Sequence, residues 1–391
     1  MQTVPGDTLP TPAAIERTAS LSSPAPHSLP GLLAMEGGSV HRGRLRGATA
    51  AAEGDLIFTT AATGWGEILT DPSYAGQIVV LTHPMAGNYR IARSELESDA
   101  VRARGLIVSR MIEPPPGPGM SLRELLAEGG VPAISGIDTR ALTLQLRHGA
   151  ARRAVMVPAT VAEADALASA RGSVAWDAVD HVSAVATTDP YVVAPVGDRR
   201  ARAVLIDYGV KRSLLAALAE RGAEITVLPP DATPDSVAAH RPDLIVLSPG
   251  PGDPSRMTSQ IEVVRTLVHR AANGDAPILG VCLGHQLLAL AAGAETRRLA
   301  VGHHGGNHAV LEAATGRVDI GAHNHEVEVA DGPALAAAGY RISHRDLNDD
   351  TVEGLVHASG RIASVQFHPE GAPGPIDASR VFDLALDHAS A

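Results

Sequence analysis

The distribution of apolar and polar positions divides the chain into two halves with different patterns of apolar segments. From about residue 31 to residue 185, short apolar segments such as "GDLIFTT" and "GQIVVLTHP" are separated by glycines, which is typical of strands in a compact mixed α/β domain. After residue 200 the pattern predicts strands that alternate with helices, as in "RAVLIDYG", "VKRSLLAALAERG" and "AEITVLPP". Apolar strands that alternate with amphipathic helices predict a mostly parallel sheet covered on both faces.

The changes in composition and in the pattern of apolar segments along the chain predict its domain organisation. The first segment is rich in Pro, Ser and Thr and lacks the basic start and apolar centre of a signal peptide, so a disordered tail is expected there. The stretch "ATTDPYVVAPVGDRR" is interpreted as a linker. The predicted segments are a tail at 1–30, a mixed α/β domain at 31–185, a linker at 186–200 and a parallel α/β domain at 201–391.

One helix and one loop of the first domain can be predicted in detail. The segment "IDTRALTLQLRHGA" indicates a helix with Asp138 as its N-cap and Gly149 as its C-terminal stop. The segment "EPPPGPG" at 113–119 is a predicted loop, because its prolines can neither continue a helix nor donate to a sheet.

Composition narrows the class of protein. The 391 residues include 45% apolar and 19% charged residues, which fits a soluble globular protein, and no uninterrupted apolar run suggests a membrane span. The formal charge of −11 argues against binding of nucleic acid through its phosphates. With a single cysteine the chain can form no internal disulfide, so the cytoplasm is the expected compartment.

That single cysteine, Cys282, lies in "LGVCLGHQ", between an apolar strand and a helix. Gly280 and Gly284 flank it, and a nucleophile on a tight strand-to-helix turn needs such small neighbours. The positive end of the helix dipole would also favour the thiolate. A buried cysteine that packs as a small hydrophobe is the alternative, but the carboxyl end of a parallel strand is where such sheets bind ligands.

A cysteine nucleophile needs a base, and the base needs an orienting group. In "QFHPEGAPGP", His368 and Glu370 are two residues apart after a strand-like run, so their side chains would point to the same side. A third element is the loop "LSPGPGDPSR", in which Gly250 and Gly252 alternate with prolines. A backbone N–H of this loop, together with that of Leu283, could form an oxyanion hole.

Taken together, "GVCLGHQ", "SPGPGDP" and "QFHPE" resemble the triad-type (class I) glutamine amidotransferase domain, which releases ammonia from glutamine through a cysteine thioester. The segments at 59–88, 134–143, 206–215, 302–310 and 368–375 resemble the small-subunit family of glutamine-dependent carbamoyl-phosphate synthase. The resemblance covers about residues 31–391. It includes the N-terminal domain, which is peculiar to that subunit.

The resemblance implies a role for individual residues. Cys282 would be the nucleophile, His368 the base and Glu370 its orienting carboxylate. The positions that match the glutamine-holding residues of the family are Gly250, Gly252, Leu283, Gln286 and Asn324. Asp207 and Lys211 are interpreted as part of a strand-to-helix turn near the site rather than as catalytic groups.

The resemblance also implies partners. The N-terminal domain would dock onto a large subunit, which would use ATP, Mg²⁺, bicarbonate and the ammonia to make carbamoyl phosphate for arginine and pyrimidine synthesis. This chain itself would bind no cofactor, no nucleic acid and no membrane. Two alternatives remain open: a class I amidotransferase that serves another synthase, and a regulatory subunit with an impaired glutaminase.

Several positions depart from the family pattern. Ala61 replaces a glutamine-contacting serine, whereas Glu326 and Val327 replace a glycine and an aromatic residue. A carboxylate in the pocket would repel the carboxylate of glutamine, so Glu326 is expected to point outward. Arg90 stands where a glycine is usual, and "EPPPGPGMSL" replaces a segment that often reads Asn-Trp-Arg.

Histidines cluster between residues 303 and 325, and imidazole is a common metal ligand. No cysteine or carboxylate lies at an accepted ligand spacing from them, and the resemblance accounts for "GHHGGNH" without a metal. The sequence therefore predicts no metal site. The histidines concerned are His303, His304, His308, His323 and His325.

Overall fold

The computed structural model of the chain describes residues 28–149 and 151–389. The predicted disordered tail, residues 1–30, thus falls almost entirely outside the described residues. Its last two residues, Leu29 and Pro30, belong to a strand instead, since they pair with Leu45 and Arg44 of the next strand.

The N-terminal half is built around a closed β-barrel. Its strands are β1 (Leu29–Met35), β2 (Val40–Gly47), β3 (Ala52–Thr59), β4 (Gln77–Leu81), β5 (Met85–Ala86), β6 (Gly105–Val108), β7 (Arg110–Met111), β8 (Pro132–Ser135) and β9 (Arg153–Pro158). Apart from β5 and β7, which pair with each other, these strands close the barrel in the order β1-β2-β8-β6-β4-β3-β9. Apolar side chains such as Leu33, Leu56 and Ile107 pack together in one of its cores.

The C-terminal half contains a ten-stranded sheet among the described residues, in the order β10-β12-β11-β13-β14-β19-β18-β16-β15-β17. Its strands are β10 (Tyr191–Val193), β11 (Ala201–Ile206), β12 (Ala223–Leu228), β13 (Leu244–Leu247), β14 (Ile278–Val281), β15 (Thr296–Glu312), β16 (Val318–Val329), β17 (Tyr340–Asp346), β18 (Val352–His357) and β19 (Ile362–Val365).

The α-helices of the described residues are α1 (Trp65–Thr70), α2 (Leu122–Glu128), α3 (Thr139–Arg147), α4 (Glu163–Gly172), α5 (Arg212–Ala219), α6 (Pro234–Ala239), α7 (Thr258–Ala272), α8 (Leu283–Ala291), α9 (Pro333–Ala337) and α10 (Arg380–Ala389). Of these, α3, α5 and α8 lie where the sequence predicts a helix. In α3 the predicted N-cap is confirmed, because the Asp138 side chain accepts a hydrogen bond from the N–H of Ala141 at 2.9 Å. Gly149, with φ 80°, follows the end of α3 as predicted. Within the described ranges, no helix is both long enough and apolar enough to cross a membrane.

The predicted α/β class is confirmed, and the parallel strands form the centre of the C-terminal sheet. Strands β12, β11, β13, β14 and β19 are joined by parallel pairings. Helices α7 and α8 pack in the core on one face, and α5 and α10 pack in the core on the other. Because both faces are covered, the strands are apolar throughout rather than alternating.

Two features of this sheet were not predicted. Strands β15 to β18 extend it with antiparallel pairings, which the glycine- and histidine-rich sequence does not indicate. The predicted linker, residues 186–200, contributes the edge strand β10, which pairs with β12. The interpretation of Asp207 as a turn residue is confirmed, since its carboxylate accepts from the N–H groups of Gly209 and Val210, each at 2.8 Å.

Candidate active site

Cys282 lies in a tight turn between β14 and α8, at the carboxyl end of a central parallel strand. Its backbone angles are φ 52° and ψ −102°, an unfavourable conformation that costs a non-glycine residue about 1–3 kcal/mol. The backbone N–H of Cys282 donates to the carbonyl of Val365 at 2.9 Å, which fixes the turn to β19. Gly284 is packed against the carbonyl of Leu247, so a side chain there would push α8 away from the sheet.

His368 reaches the same edge of the sheet from the neighbouring strand. Val281 and Val365 are partners in the parallel pairing of β14 and β19, so the residues that follow them leave the sheet side by side. Nδ1 of His368 lies 2.8 Å from Oε1 of Glu370, the geometry that the spacing of the two residues predicts. The imidazole is therefore held by a carboxylate beside the strand end that carries Cys282.

Lys211 extends this pair to a cluster of three buried charged side chains. Its Nζ lies 3.1 Å from Oε1 of Glu370 and donates to the carbonyl of Gly371 at 2.8 Å. Burial raises the pKa of Glu370, but the cations Lys211 and His368 outweigh burial and hold this pKa at about 2. Burial lowers the pKa of Lys211, and the nearby Glu370 raises it above its ordinary value.

The electrostatics of His368 favour its protonated form. Burial lowers the pKa of the imidazole, whereas Glu370 raises it, and the resulting pKa is about 10. Contact with the sulfur of Cys282 raises this pKa as well, and Nε2 has no other hydrogen-bond partner in the described part of the chain. The sulfur also accepts a hydrogen bond from Nε2 of Gln366 at 3.5 Å. Nε2 of His368 is thus available to exchange a proton at the sulfur.

The loop after β13 brings Gly250 and Gly252 to the same edge. A side chain at position 250 would collide with the carbonyl of Tyr208 and come within 3.0 Å of Leu283 Cδ2, so the loop lies directly against the start of α8. Gly252 has φ 103°, a conformation that favours glycine. The first N–H groups of a helix have no partner within the helix, and that of Leu283 starts α8. The predicted oxyanion donors therefore lie in adjacent segments.

Gln286 and Asn324 are both buried and lie near Cys282. Nε2 of Gln286 donates to the carbonyl of Val327 at 2.8 Å and to Oε1 of Gln366 at 3.0 Å. Nδ2 of Asn324 donates to Asp71 at 2.9 Å, and its Oδ1 lies 2.9 Å from Nδ1 of His304. These contacts fix both amides in place.

A small cavity connects these residues with the N-terminal barrel. It is lined by Gly250, Gly252, Cys282, Gln286 and Asn324 and also by Ser73, Gln77 and Trp176 from the first half of the chain. Oγ of Ser73 and Oε1 of Gln77 are buried without a hydrogen-bond partner among the described residues. Unpaired buried polar atoms beside a cavity are available to a ligand.

Ser73, Gln77 and Lys211 were not predicted as site residues. Ser73 and Gln77 lie in "DPSYAGQ", inside a segment that carries the family resemblance, but nothing in its local pattern indicates a contact with Cys282. For Lys211, the one signal is a lysine in the turn that follows the apolar strand β11, where burial requires a partner.

The expectation that Glu326 points outward is wrong. Its carboxylate is buried, lies 2.8 Å from Nε2 of His304, and pairs with Arg152 and, at 3.4 Å, with Arg298. Burial raises the pKa of Glu326, but His304 and the two arginines lower it to about 2. Because Arg152 and Arg298 balance its charge, Glu326 can line the cavity without acting as a free negative charge.

The other residues that differ from the family pattern are Ala61, Val327 and Arg90, and each has different neighbours. Ala61 is partly buried, and its N–H is bonded to the Thr59 hydroxyl at 3.3 Å. Val327 lines the cavity, and only its backbone carbonyl makes a polar contact with Gln286. Arg90 donates to the carbonyl of Gly119 at 3.2 Å. It therefore contacts the proline-rich segment "EPPPGPGMSL", which also differs from the family pattern.

The clustered histidines are accompanied by carboxylates that the sequence spacing did not reveal. Glu353 and Asp346 come from later strands and lie within the cluster. Neither carboxylate lies at a short ligand spacing from the histidines in the sequence, so it is the fold that brings them together. The side chains that come together in two overlapping groups are His303, His308, His323, His325, Asp346 and Glu353.

Two protein-family models match the chain. The model "Carbamoyl-phosphate synthase small chain, CPSase domain" matches residues 33–156, which cover the barrel. The model "Glutamine amidotransferase class-I" matches residues 204–387, which cover the C-terminal sheet and its helices.

Curated relatives match almost the whole chain. The carbamoyl phosphate synthase small chain of Listeria innocua is 40% identical over 358 residues, which are 91% of this chain and 96% of that protein. The small chain of Methanopyrus kandleri is 41% identical over 360 residues, 90% of this chain and 97% of that protein. A pyrimidine-specific small chain of Halalkalibacterium halodurans is 40% identical over 353 residues, 90% of this chain and 94% of that protein. The chain belongs to the family of carbamoyl phosphate synthase small chains and contains a class I glutamine amidotransferase domain.

Proposed function

We propose that this chain is the glutaminase subunit of a carbamoyl-phosphate synthase, which hydrolyses L-glutamine and supplies the ammonia to a large subunit. The large subunit would use ATP and Mg²⁺ to make carbamoyl phosphate for arginine and pyrimidine synthesis. The observation that carries the proposal is the buried arrangement of Cys282, His368 and Glu370 beside a cavity, in a chain of this family.

The first step forms a thioester. A thiolate at Cys282 attacks the side-chain amide carbon of glutamine, while a proton is held at Nε2 of His368, whose pKa of about 10 favours the imidazolium. When the carbon–nitrogen bond breaks, His368 gives this proton to the departing nitrogen, which leaves as ammonia. Glu370 and Lys211 keep the imidazole in position without touching the substrate.

The negative charge of each tetrahedral intermediate falls on the former amide oxygen. We assign the stabilisation of this charge to the N–H of Leu283, which starts α8 directly after Cys282, and to an N–H of the loop at 249–252, which packs against Leu283. Such donors are worth about 3–4 kcal/mol of the barrier in acyl transfer, because they are already oriented when the charge develops.

The second step hydrolyses the thioester. His368, now neutral, takes a proton from a water molecule, and the hydroxide attacks the thioester carbon. The carbon–sulfur bond breaks, glutamate is released, and Cys282 returns to its starting form.

The unpaired atoms of the cavity suggest how the amino-acid end of glutamine is held. Oε1 of Gln77 can only accept a hydrogen bond, which suits the α-ammonium group. The Ser73 hydroxyl can donate to the α-carboxylate. Both side chains come from the barrel domain, so we assign the barrel a part in glutamine binding as well as in docking.

The test is glutamate release from glutamine by the full chain, alone and with the large subunit of a related synthase. We expect Cys282→Ser and His368→Asn to lower the rate by at least about a thousandfold. His269→Ala, at an exposed position on α7, is the matched control and should retain the native rate. With the large subunit, ATP and bicarbonate, carbamoyl phosphate should accumulate.

Two results would contradict the proposal. Glutamate release that survives Cys282→Ser would exclude the thioester route. A native chain that releases no glutamate, even with the large subunit present, would favour a regulatory subunit instead.

A further inference from the structure

Behind the glutamine cavity, His303, His323, His325 and Glu353 converge in the interior of the C-terminal half. One ligand atom from each side chain lies within 4.8 Å of the others, and all four residues are buried. None of them has a role in the glutaminase mechanism above.

The strand geometry explains why these side chains meet. His303 on β15 is directly opposite His325 on β16, and His323 lies two residues earlier on the same face of β16. Glu353 lies on β18, the neighbouring strand of the sheet. The alternate positions, His304 and Asn324, face the other side of the ribbon and bond to each other.

The outer nitrogen of each imidazole is held by an oxygen atom. Nε2 of His303 lies 2.7 Å from Asp349, Nδ1 of His325 lies 3.0 Å from the carbonyl of Val327, and Nδ1 of His323 lies 3.2 Å from the carbonyl of Gly321. A carbonyl or an ionised carboxylate can only accept, so each of these nitrogens carries the hydrogen. The inner nitrogen of each ring is therefore left with a lone pair.

These three lone pairs point toward a single carboxyl group. Nε2 of His323 lies 2.9 Å from one oxygen of Glu353, while Nδ1 of His303 and Nε2 of His325 lie 3.9 and 3.8 Å from the other. One acidic proton on Glu353 could satisfy only the first of these contacts. Nδ1 of His303 and Nε2 of His325 are buried and have no hydrogen-bond partner in the described ranges. Such an arrangement of acceptors around one point is stabilised by a cation.

We propose that the chain binds one Zn²⁺ ion through Nδ1 of His303, Nε2 of His323, Nε2 of His325 and an oxygen of Glu353. Three imidazoles and one carboxylate suit Zn²⁺, whereas Mg²⁺ and Ca²⁺ prefer sites made of oxygen. The ligand atoms lie within 4.8 Å of one another, so zinc–ligand distances of about 2.0–2.2 Å require the side chains to shift toward a common centre. Histidines that bind zinc usually donate the hydrogen of their other ring nitrogen to a carboxylate or a backbone carbonyl, which fixes the orientation of the ring. The contacts of the outer nitrogens described above are of this kind.

With all four positions filled by protein, the ion would serve as a structural site rather than as a catalyst. It would join β15, β16 and β18 directly behind the catalytic segment. The carbonyl of Glu353 accepts from the N–H of Gln366 at 2.9 Å, and that of Ala322 accepts from the N–H of His368 at 2.8 Å. The ion would thereby also fix Asn324, which lies between two of its ligands.

A second, overlapping group uses His308 and Asp346 with His303 and His323. In that group Nδ1 of His308 is already paired with Asp346 at 2.7 Å, and His308 is less buried. The group with Glu353 contains both unpaired nitrogens, so the structure favours it.

The test uses the full chain purified without a histidine tag. We expect about one zinc per chain by elemental analysis, and after removal by a chelator, Co²⁺ titration should give the strong visible absorption of a tetrahedral site. His303→Ala and Glu353→Gln should weaken Co²⁺ and Zn²⁺ binding by at least about 100-fold, since each removes a ligand. His308→Ala tests the overlapping group, and His357→Ala, on the same strand as Glu353, is the matched control; both should bind the metal as the native chain does.

The native chain alone can overturn the proposal, even if a variant fails to fold. Absence of stoichiometric Zn²⁺ or Co²⁺ binding by the native chain would do so. Equal binding by Glu353→Gln, or loss of binding in His308→Ala alone, would exclude these four ligands.

A kinetic measurement tests the structural role. Zinc removal should raise the KM for glutamine at least about fivefold, and zinc addition should restore it. This second readout depends on the proposed glutaminase function, whereas the metal content does not, so the failure of one can be distinguished from the failure of the other.

Discussion

Replacing Lys211 with methionine tests whether the buried charges behind His368 stabilise the site. Nζ of Lys211 lies 3.1 Å from Oε1 of Glu370, and both side chains are almost completely buried. At this separation the Coulomb attraction is about 5 kcal/mol for an effective dielectric constant of about 20. Removing one partner of a buried pair leaves the other uncompensated, and the usual net loss is about 3–5 kcal/mol. We expect Lys211→Met to lower the free energy of unfolding at pH 7 by that amount.

The pH dependence of this loss follows from the pKa of Glu370. The folded-state pKa of about 2 lies below the ordinary pKa of 4.5 for this side chain, so the stabilisation is fully present above about pH 4.5. It is lost as the pH falls toward 2, because the unfolded chain takes up the proton first. The difference between the native chain and Lys211→Met should therefore be largest near pH 7 and shrink below about pH 4.5.

The assay is urea unfolding followed by circular dichroism across this pH range. Arg212→Met is the matched control, because Arg212 is adjacent but forms an exposed pair with Asp99. Exposed pairs contribute about 0–1 kcal/mol, so the control should lose little. In Lys211→Met/Glu370→Gln both charges are removed, and most of the lost stability should return.

The reasoning would be refuted if Lys211→Met lost no more stability than Arg212→Met. It would also be refuted if the loss did not depend on pH, or if adding Glu370→Gln deepened it. Any of these three results would mean that the ion pair is not what stabilises this region.

Three further substitutions test contacts outside the ion cluster. Ser73→Ala should raise the KM for glutamine about fivefold with kcat unchanged, the effect of losing one hydrogen bond of about 1 kcal/mol; an unchanged KM would show that the hydroxyl does not touch the substrate. Glu326→Gln should lower the free energy of unfolding at pH 7 by about 3 kcal/mol, since Arg152 and Arg298 lose their shared carboxylate, and urea unfolding should show the difference fading below about pH 4. Asp138→Ala removes the N-cap of α3 and should cost about 1 kcal/mol of stability, measured in the same way, whereas Asp138→Asn should cost less.

Local features of the sequence were sufficient for the parts of the site that are formed by neighbouring residues. Cys282 between a strand and a helix, with glycines on both sides, could be placed because the turn itself requires those residue types. The same holds for His368 and Glu370, whose spacing puts them on one side of an extended segment. The central parallel strands could be predicted because burial on both faces leaves a continuous apolar run.

The remaining parts depend on contacts between distant segments. Lys211 meets Glu370 only because β11 and β19 end at the same edge of the sheet, and no local pattern records this. Glu326 was expected to point outward because a carboxylate in the pocket would repel the carboxylate of glutamine. The cations that balance its charge, Arg152 and Arg298, come from other segments of the chain, so no local pattern indicates them. The edge strand β10 was taken for a linker because three residues are too few to give a strand signal.

The β15–β16 ribbon explains how the cavity and the histidine cluster are related. Because side chains alternate across a strand, His304 and Asn324 face the cavity, while His303, His323 and His325 face Glu353. A shift of one residue in the pairing would exchange these two sets, so cavity and cluster depend on the same register. A cation held by the second set would fix that register, because it joins both strands of the ribbon to β18. Near His303 the ribbon carries Gly302, Gly305 and Gly306, which have no side chains to define its pairing. Ligation would supply specificity at that point.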